Sequence, residues 1–462
     1  MCGAFRGLML RDMQTTTAPR SLITPDDSRY DEARSAFNLA VDQRPAGVVL
    51  AESVKDVVEA VRYATANGLR VAPQTTGHNA GAYATLEDTL LVKTTAMKGV
   101  EVDVEARSAR ALAGSRWMDV AAALDGTGLV ALHGSSPDVG VVGYSLGGGV
   151  GWLARKHGLQ ANSVIAVELV NADGELVRAD AHENPDLFWA LRGGGGNFGV
   201  VTAIEFKLYP VEELYAGWLI FPWERSAEVL KTWNALLPTF PDEITSVGRI
   251  LQLPPLPEIP EPLRGAQIVV IEAAFLGSAE DGAELLRPLR ELGPVGDTFG
   301  TVPAAALGEL HQDPREPVPA LSSSALLGDL DDAAIEALVE IAGPGSGSPF
   351  LSVELRQLGG ALGRPAPGAG ALAQLNGSFA MFAVGIPMDP DVAAALHNTG
   401  DRLVAALAAH DRGRYLNFTE RPTDTRAAFT EAAYARLQEA KAKWDADGVF
   451  SANHPITEGT DR

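Results

Sequence analysis

The apolar run AGVVLA, residues 46–51, is short and uninterrupted, as a buried strand requires. In the stretch that follows, Val57, Val58, Val61 and Ala64 recur at helical spacing and share one face. Ser53 and Asp56 stand at the spacing of a capping box, Asn67-Gly68 stops the helix, and LRVAP returns as a strand. Strand, helix and strand in that order predict a crossover and a parallel strand pair in an α/β layer. Between 163 and 208 the pattern is SVIAVELV, then Asn171-Ala-Asp-Gly174, then ELVRAD: two strands joined by hairpin chemistry. Asn184-Pro185 opens the short helix DLFWALRG, a glycine run follows, and VVTAIEFKLYP is the next strand.

Beyond residue 211 the texture changes. PPLPEIPEP, GPGSGSP and GRPAPGAGA are exposed connectors between helical patterns (ERSAEVLKTWNALL, DDAAIEALVEIA) and strands (QIVVIEAAF, PFLSVELRQL, SFAMFAVGI). These predict a mixed domain with an antiparallel sheet. The end, EAAYARLQEAKAKWDADGVFSANHP, is a helix followed by a glycine-containing loop. The fold class is therefore α+β. No repeat of solenoid period is visible.

At 462 residues and 46% apolar content the chain can bury sizeable cores; length alone suggests about three domains, or two larger ones. A formal net charge of −22 repels phosphate backbones and anionic lipid, which makes nucleic acid and membranes poor partners. No apolar run reaches the roughly 18–20 residues that span a bilayer. The single cysteine, Cys2, excludes an intramolecular disulfide and a cysteine-built metal site, and no metal is expected. The opening residues, with Arg6, Arg11 and Asp12 around a very short apolar stretch, read as a ragged tail on a cytoplasmic protein. Oligomeric state leaves no mark in the sequence.

Three glycine segments carry candidate chemistry. Gly194-Gly-Gly196-Asn-Phe-Gly199 satisfies the dinucleotide fingerprint literally. That fingerprint needs strand, glycines, helix, whereas here a helix comes first, so a tight helix-to-strand return is the better reading. Gly143-Tyr-Ser145-Leu-Gly147 matches a nucleophile elbow, with Val139–Val142 as its strand and VGWLARKHG as its helix. A serine hydrolase built on Ser145, with His397, His410 or His454 as partner, is the alternative function. Its bland counterpart is a glycine turn holding one polar residue. The third segment, Pro73-Gln-Thr-Thr-Gly77-His78-Asn79-Ala-Gly81, ends a strand with small residues whose amides can cradle anionic oxygens without a lysine.

Taken jointly, these segments resemble one family. RPAGVVLAESVKDVVEAVRYATANGLRVAPQTTGHNAGAY, SSPDVGVVGYSLGGGVGWLARKHGLQANSV, NPDLFWALRGGGGNFGVVTAIEFKLYP, Tyr415-Leu-Asn417 and Asn453-His454-Pro455-Ile456 follow the order of the flavin-linked oxidases of vanillyl-alcohol-oxidase fold, with its PCMH-type FAD-binding domain, in the berberine-bridge-like branch. The resemblance implies a tail and first helix in 1–40, an FAD-binding domain of two subdomains in 41–210, a substrate domain in 211–410, and a segment 411–462 returning to the FAD domain. It implies FAD held by Gln74, Thr75, Thr76, Gly77, His78, Asn79, Ala80 and Gly81. The second loop contributes Ser135, Ser136, Asp138, Val139, Val142, Gly143, Ser145, Gly148 and Gly149, joined by Gly199, Val200 and Asn453.

The family commonly joins a histidine at the His78 position to the flavin 8α carbon, and many members add a cysteine where Ser136 stands here. A single tether through His78 is the expectation. Gln74 replaces a frequent arginine, which leaves the amide cradle intact. The resemblance further implies hydride transfer from an alcohol, sugar or natural-product centre to flavin N5, with O2 as acceptor giving H2O2. A base must then sit beside the substrate oxygen. Tyr415 is the matching candidate, and its ordinary pKa of about 10 would have to be lowered by neighbours or by the flavin environment, with Asn417, Tyr144 and Glu354 as further candidates. Arg356 alternates onto the same strand face as Glu354, Asn453 is placed against the flavin ring system, and His133 is as readily a buried, bonded residue as a functional one.

Overall fold

The computed structural model describes residues 17–457 apart from 84, 256, 258–260 and 262–263, so Cys2 and the first sixteen residues lie outside the described part. The first sheet contains β1 (Leu22–Ile23), β2 (Gly47–Leu50), β3 (Arg70–Gln74) and β4 (Thr89–Lys93), preceded on β2 by the short helix α1 (Tyr30–Arg34). Helix α2 (Val54–Ala66) is capped as the sequence implies, Ser53 Oγ accepting from the Asp56 amide at 3.3 Å. Its buried stripe is Val57, Ala60, Val61 and Ala64. Val58 falls at the stripe's margin, because 3.6-residue periodicity puts Ala60 on the face instead. The crossover is parallel, but β2 and β3 do not pair with each other: β4 lies between them, parallel to both.

The second sheet is antiparallel and runs β5-β6-β9-β7-β8, from β5 (Val100–Asp103), β6 (Ser108–Leu112), β7 (Val164–Val170), β8 (Leu176–Asp180) and β9 (Val200–Lys207). Asn171 Oδ1 accepts from the Asp173 and Glu175 amides at 3.1 and 2.9 Å and so sets the hairpin between β7 and β8. Helices α3 (Trp117–Leu124), α4 (Val141–Leu146) and α5 (Ala154–His157) come between β6 and β7. Helix α6 (Pro185–Gly194) begins at the predicted proline and hands over through the glycine run to β9, so helix does precede glycines. Trp117, Phe198 and Phe206 are fully buried in this layer's core.

An eight-stranded antiparallel sheet forms the third layer: β10 (Glu213–Pro222), β11 (Ile244–Gln252), β12 (Gln267–Phe275), β13 (Gly296–Asp297), β14 (Gly300–Pro303), β15 (Leu321–Leu327), β16 (Ser352–Gln357) and β17 (Phe379–Gly385). Its order is β13-β10-β12-β11-β16-β17-β15, with β14 also on β10. Helices α7 (Ser226–Leu236), α8 (Asp332–Ala342) and α9 (Pro390–Ala406) contribute to one core with it, where Ile250, Val353 and Leu355 meet Trp233, Leu338 and Leu403. Strand side chains alternate between faces. Arg249, Glu354 and Arg356, each one residue away from those core positions, consequently lie on the opposite face, where they line a cavity.

Helix α10 (Glu431–Trp444) brings the chain back to the first sheet: the Val71 amide donates to Val449 O and the Ser451 amide to Val71 O, both at 2.8 Å. Asp445, 3% exposed, fixes this return. It accepts from the Val449 and Phe450 amides at 2.7 and 3.0 Å and pairs with Lys441. Replacing Asp445 by Ala orphans two buried amides and leaves the largely buried Lys441 ammonium without its counter-charge. Asp445→Ala is expected to lose about 3–5 kcal/mol of stability, measured as a lowered urea midpoint.

Candidate active site

The cavity of about 1030 Å³ lies between the first two layers and the charged face of the third sheet. One wall is main chain. Gln74 through Ala80, Ser135, Ser136, Val139, Gly140, Gly143 and Gly193–Gly196 all line it. The carbonyl of Leu416 draws the wall together, accepting from Asn79 Nδ2 at 3.1 Å and from His454 Nε2 at 3.0 Å. Burial lowers the His454 pKa to about 4, which keeps that ring neutral. Gly77 has φ +86°, a left-handed turn that a side chain resists, and a Cβ there would lie 2.8 Å from Ala36 Cβ. His78 follows it into the cavity wall. Its Nε2 lies 2.7 Å from Asp138 Oδ2, and its ring stacks on Phe37 with centroids 3.7 Å apart.

The other wall is chemical. Tyr415 and Asn417 flank the glycine loop; Asn417 Nδ2 donates to Tyr144 O at 3.0 Å and lies 3.2 Å from the Tyr415 hydroxyl. This approach requires Gly147, where a Cβ would come within 1.8 Å of Asn417 Oδ1. Burial pushes the Tyr415 phenol up to about 12, against the opposing effects of Asn417, the Arg356 charge and the Gly149 and Val150 amides. The expected lowering is not what the protein's own groups produce: desolvation outweighs the donors. The Tyr144 pKa is likewise raised well above its ordinary value, chiefly by burial, and its buried hydroxyl has no partner among the described residues.

Glu354 is clamped. Its Oε2 lies 2.8 Å from His311 Nε2 and its Oε1 3.2 Å from Arg356 Nη2. Behind it, His311 Nδ1 meets Glu272 Oε2 at 2.5 Å, and Glu272 Oε1 pairs with Arg249 Nη1 at 2.6 Å. Against its own burial, the charges of Arg356 and His311 hold Glu354 at a pKa of about 2. His311 rises to about 9: burial and Arg249 oppose the charge, and Glu272, Asp313 and Glu354 prevail.

The Gln74–Ala80 and 135–143 segments, Tyr415 and Asn417 fall within two family matches, while Gly193–Gly196, Arg249, His311, Glu354 and Arg356 lie outside them. Residues 45–180 match the family described as FAD binding domain, and residues 414–457 match berberine and berberine like. An uncharacterised FAD-linked oxidoreductase, YvdP of Bacillus subtilis (strain 168), is 31% identical over 317 residues, covering 66% of this chain and 67% of that one. The chain belongs to the berberine-like FAD-linked oxidoreductases. (R)-6-hydroxynicotine oxidase of Paenarthrobacter nicotinovorans is 36% identical over 199 residues, which is 43% of each chain. The fold is that of Physcomitrella patens BBE-like 1, with a TM-score of 0.83 at 22% identity over 95% of this chain and 97% of that one.

The residues of this FAD-linked oxidoreductase fit an FAD molecule. The cavity volume is at the upper end of the roughly 300–1,000 Å³ usual for ligand pockets. Gly143 opens onto free space, with nothing within 4 Å of a Cβ built on it. Gln74 Oε1, Asn79 Oδ1 and Arg356 Nε are buried in cavity-lining residues with no hydrogen-bond partner among the described residues. No lysine lines the cavity among the described residues, and the main-chain amides of the glycine wall would be donors for a diphosphate.

Of the residues singled out from sequence, Gln74–Ala80, Ser135, Ser136, Val139, Val142, Gly143, Tyr144, Gly199, Glu354, Arg356, Tyr415, Asn417 and Asn453 line the cavity. Gly81, Asp138, Ser145, Gly148, Gly149 and Val200 do not. Gly81 packs under the Glu420 carbonyl, Gly149 against Tyr144 and Gln160, Gly148 against Leu372, and Val200 is fully buried in β9. Asp138 stands behind His78.

Ser145 is a correction to the elbow reading. It sits inside helix α4 rather than on a strand-to-helix turn, is 0% exposed, and has no hydrogen bond to His397, His410 or His454. His133 is mostly buried, with Nδ1 bonded to Gly134 O at 2.7 Å. Phe37, Arg249, His311 and Glu420 were missed, because each joins the site through tertiary contact alone. Period-two alternation along β11 could have flagged Arg249.

His311 makes stability depend on pH. Its folded pKa lies above the unfolded value of about 6.5, so its contribution is full below that pH and is lost as pH rises through about 9. Urea midpoints are expected to fall between pH 6.5 and 9 in the parent protein, and His311→Gln is expected to flatten that slope from a lower starting stability.

Proposed function

We propose that this protein is an oxidase of a small alcohol, sugar or natural-product intermediate, passing electrons to O2 and releasing H2O2. The observation that carries the reading is the grouping of Tyr415, Asn417 and Arg356 on the cavity lining, with Asn417 Nδ2 within hydrogen-bond distance of the Tyr415 hydroxyl and the Arg356 charge acting on it. Bound FAD supplies the hydride acceptor. The protein positions the substrate C–H, excludes water, and takes the hydroxyl proton. Tyr415 is assigned that proton because its hydroxyl lies among the cavity donors, where Asn417, two amides and the Arg356 charge work against the burial that raises the phenol. Glu354 is not assigned it. A carboxylate gripped by two cations at a pKa of about 2 is too weak a base and instead holds Arg356 in place.

The names of similar proteins support this range of chemistry: a hydroxynicotine oxidase, a xylooligosaccharide oxidase and a glucooligosaccharide oxidase. Nothing favours hydrolysis at Ser145. We assign the flavin a single tether through His78, since Ser136 offers no thiol for a second.

Anaerobic mixing with substrate is expected to bleach the yellow protein, and readmitted air to restore colour with one H2O2 per turnover. A colour that no alcohol, sugar or amine bleaches would count against the reading. Tyr415→Phe is expected to lower kcat about 10²–10⁴-fold with colour retained, and Asn417→Leu to move the rising limb of the pH–rate profile upward, because a donor to the phenolate is gone. After acid precipitation the flavin should remain with a peptide containing His78, and should pass into the supernatant for His78→Ala.

A further inference from the structure

His78 faces two acidic groups and one ring. Asp138 Oδ2 is 2.7 Å from Nε2, Phe37 stacks on the imidazole with 21° between planes, and Glu420 lies close enough for His78 to act on it electrostatically. The three differ in what they can do. Glu420 is kept toward its neutral form by burial and accepts from Ser322 Oγ at 2.7 Å, and among the described residues no hydrogen bond joins it to the ring. Phe37 fixes the plane only. Asp138 is 1% exposed, and its other oxygen, Oδ1, has no partner among the described residues. Its hydrogen bonding is spent on the imidazole.

A carboxylate accepts and does not donate. The hydrogen of neutral His78 is therefore on Nε2, and the lone pair is on Nδ1. Sequence offered no view of this, since Asp138 lies sixty positions away and matches the family loop as a cofactor contact.

We infer that Asp138 is the positioning residue for the flavin tether: it sets the His78 tautomer, makes Nδ1 the nucleophile, and stabilises the charge the ring gains on bonding. The inference rests on the reading that His78 carries the tether. In the step, an Nδ1–C bond forms at the 8α carbon and one C–H bond of that methyl group breaks. His78 becomes cationic until its Nε2 proton leaves by way of Asp138. Two electrons and two protons are given up in all, and dioxygen takes them as H2O2. A desolvated carboxylate stabilises such a cation more strongly than one in water.

The test compares parent, Asp138→Asn, Asp138→Ala and His78→Ala, each purified and supplied with FAD. Total bound flavin is read by absorbance, and the covalent share by flavin fluorescence in a denaturing gel over time. Asp138→Ala is expected to bind flavin within about twofold of the parent while tethering it about 10- to 100-fold more slowly, the loss of a charge-assisted hydrogen bond. Asp138→Asn keeps shape and an acceptor oxygen but not the charge, and is expected to fall between them. If Asp138→Ala fails to fold, Asp138→Asn decides. The histidyl flavin released by proteolysis from the parent should be the Nδ1 isomer.

Tethering at the parental rate in both Asp138 variants, or an Nε2 link in the parent, overturns the inference and leaves the His78 reading standing. Flavin freed by acid from the parent itself overturns both.

Discussion

One carbonyl oxygen joins parts of the site that are far apart in the chain. Leu416 O accepts from Asn79, which follows the glycine turn after β3, and from His454, near the end of the described chain. It lies between Tyr415 and Asn417, so both of these cavity-lining side chains hang on the peptide so held. Asn197 adds a parallel tie, donating to His454 O at 2.9 Å and accepting from the Ile456 amide at 2.9 Å. In each tie one partner is backbone and the other is the Asn79, His454 or Asn197 side chain. The cost of leaving them unpaired when buried keeps the segments together.

The opposite wall is built on a different principle. Arg249, Glu272, His311, Glu354 and Arg356 alternate in charge and are all buried. Taking five ions out of water is costly, and an apolar equivalent of the same shape would often be as stable or more so. The network is therefore poorly explained as a stabilising device. It keeps a charged, hydrogen-bonding surface against the cavity while the helix-facing side of the same strands, with Ile250, Val353 and Leu355, forms the apolar core. Period-two geometry lets one strand do both.

The sheets and the glycine wall were legible in the sequence because their signals are local. Capping at Ser53, the Asn171 turn, the proline at 185 and the alternation of 352–357 each act within a few residues, and the structure follows them. Pairing order was not legible, and β4 comes between β2 and β3, since nothing in a strand names its neighbour. Ser145 shows how local pattern misleads. Gly-x-Ser-x-Gly describes an elbow only where a strand enters it, and here the apolar run before the serine is the start of helix α4. His311 and Phe37 carried no signal at all. Each sits in an unremarkable stretch and acquires meaning from a contact made across the fold.

The position of Tyr415 follows from these two walls and sets a condition on its chemistry. A phenol near 12 is ionised in only about one molecule in 10⁵ at pH 7. Asn417 and the two glycine-loop amides are neutral donors already at work in that value. Arg356 is a cation acting on the phenol, and its charge is partly cancelled by Glu354. Glu354 in turn is held by His311, and His311 by Glu272. The potential at the phenol oxygen is thus set by a chain of alternating charges reaching into the sheet rather than by any single neighbour. Proton removal from a substrate hydroxyl cannot rest on a standing phenolate in the protein alone. On the proposed reading it requires the filled site, where the donors are already fixed around the oxygen that takes the proton.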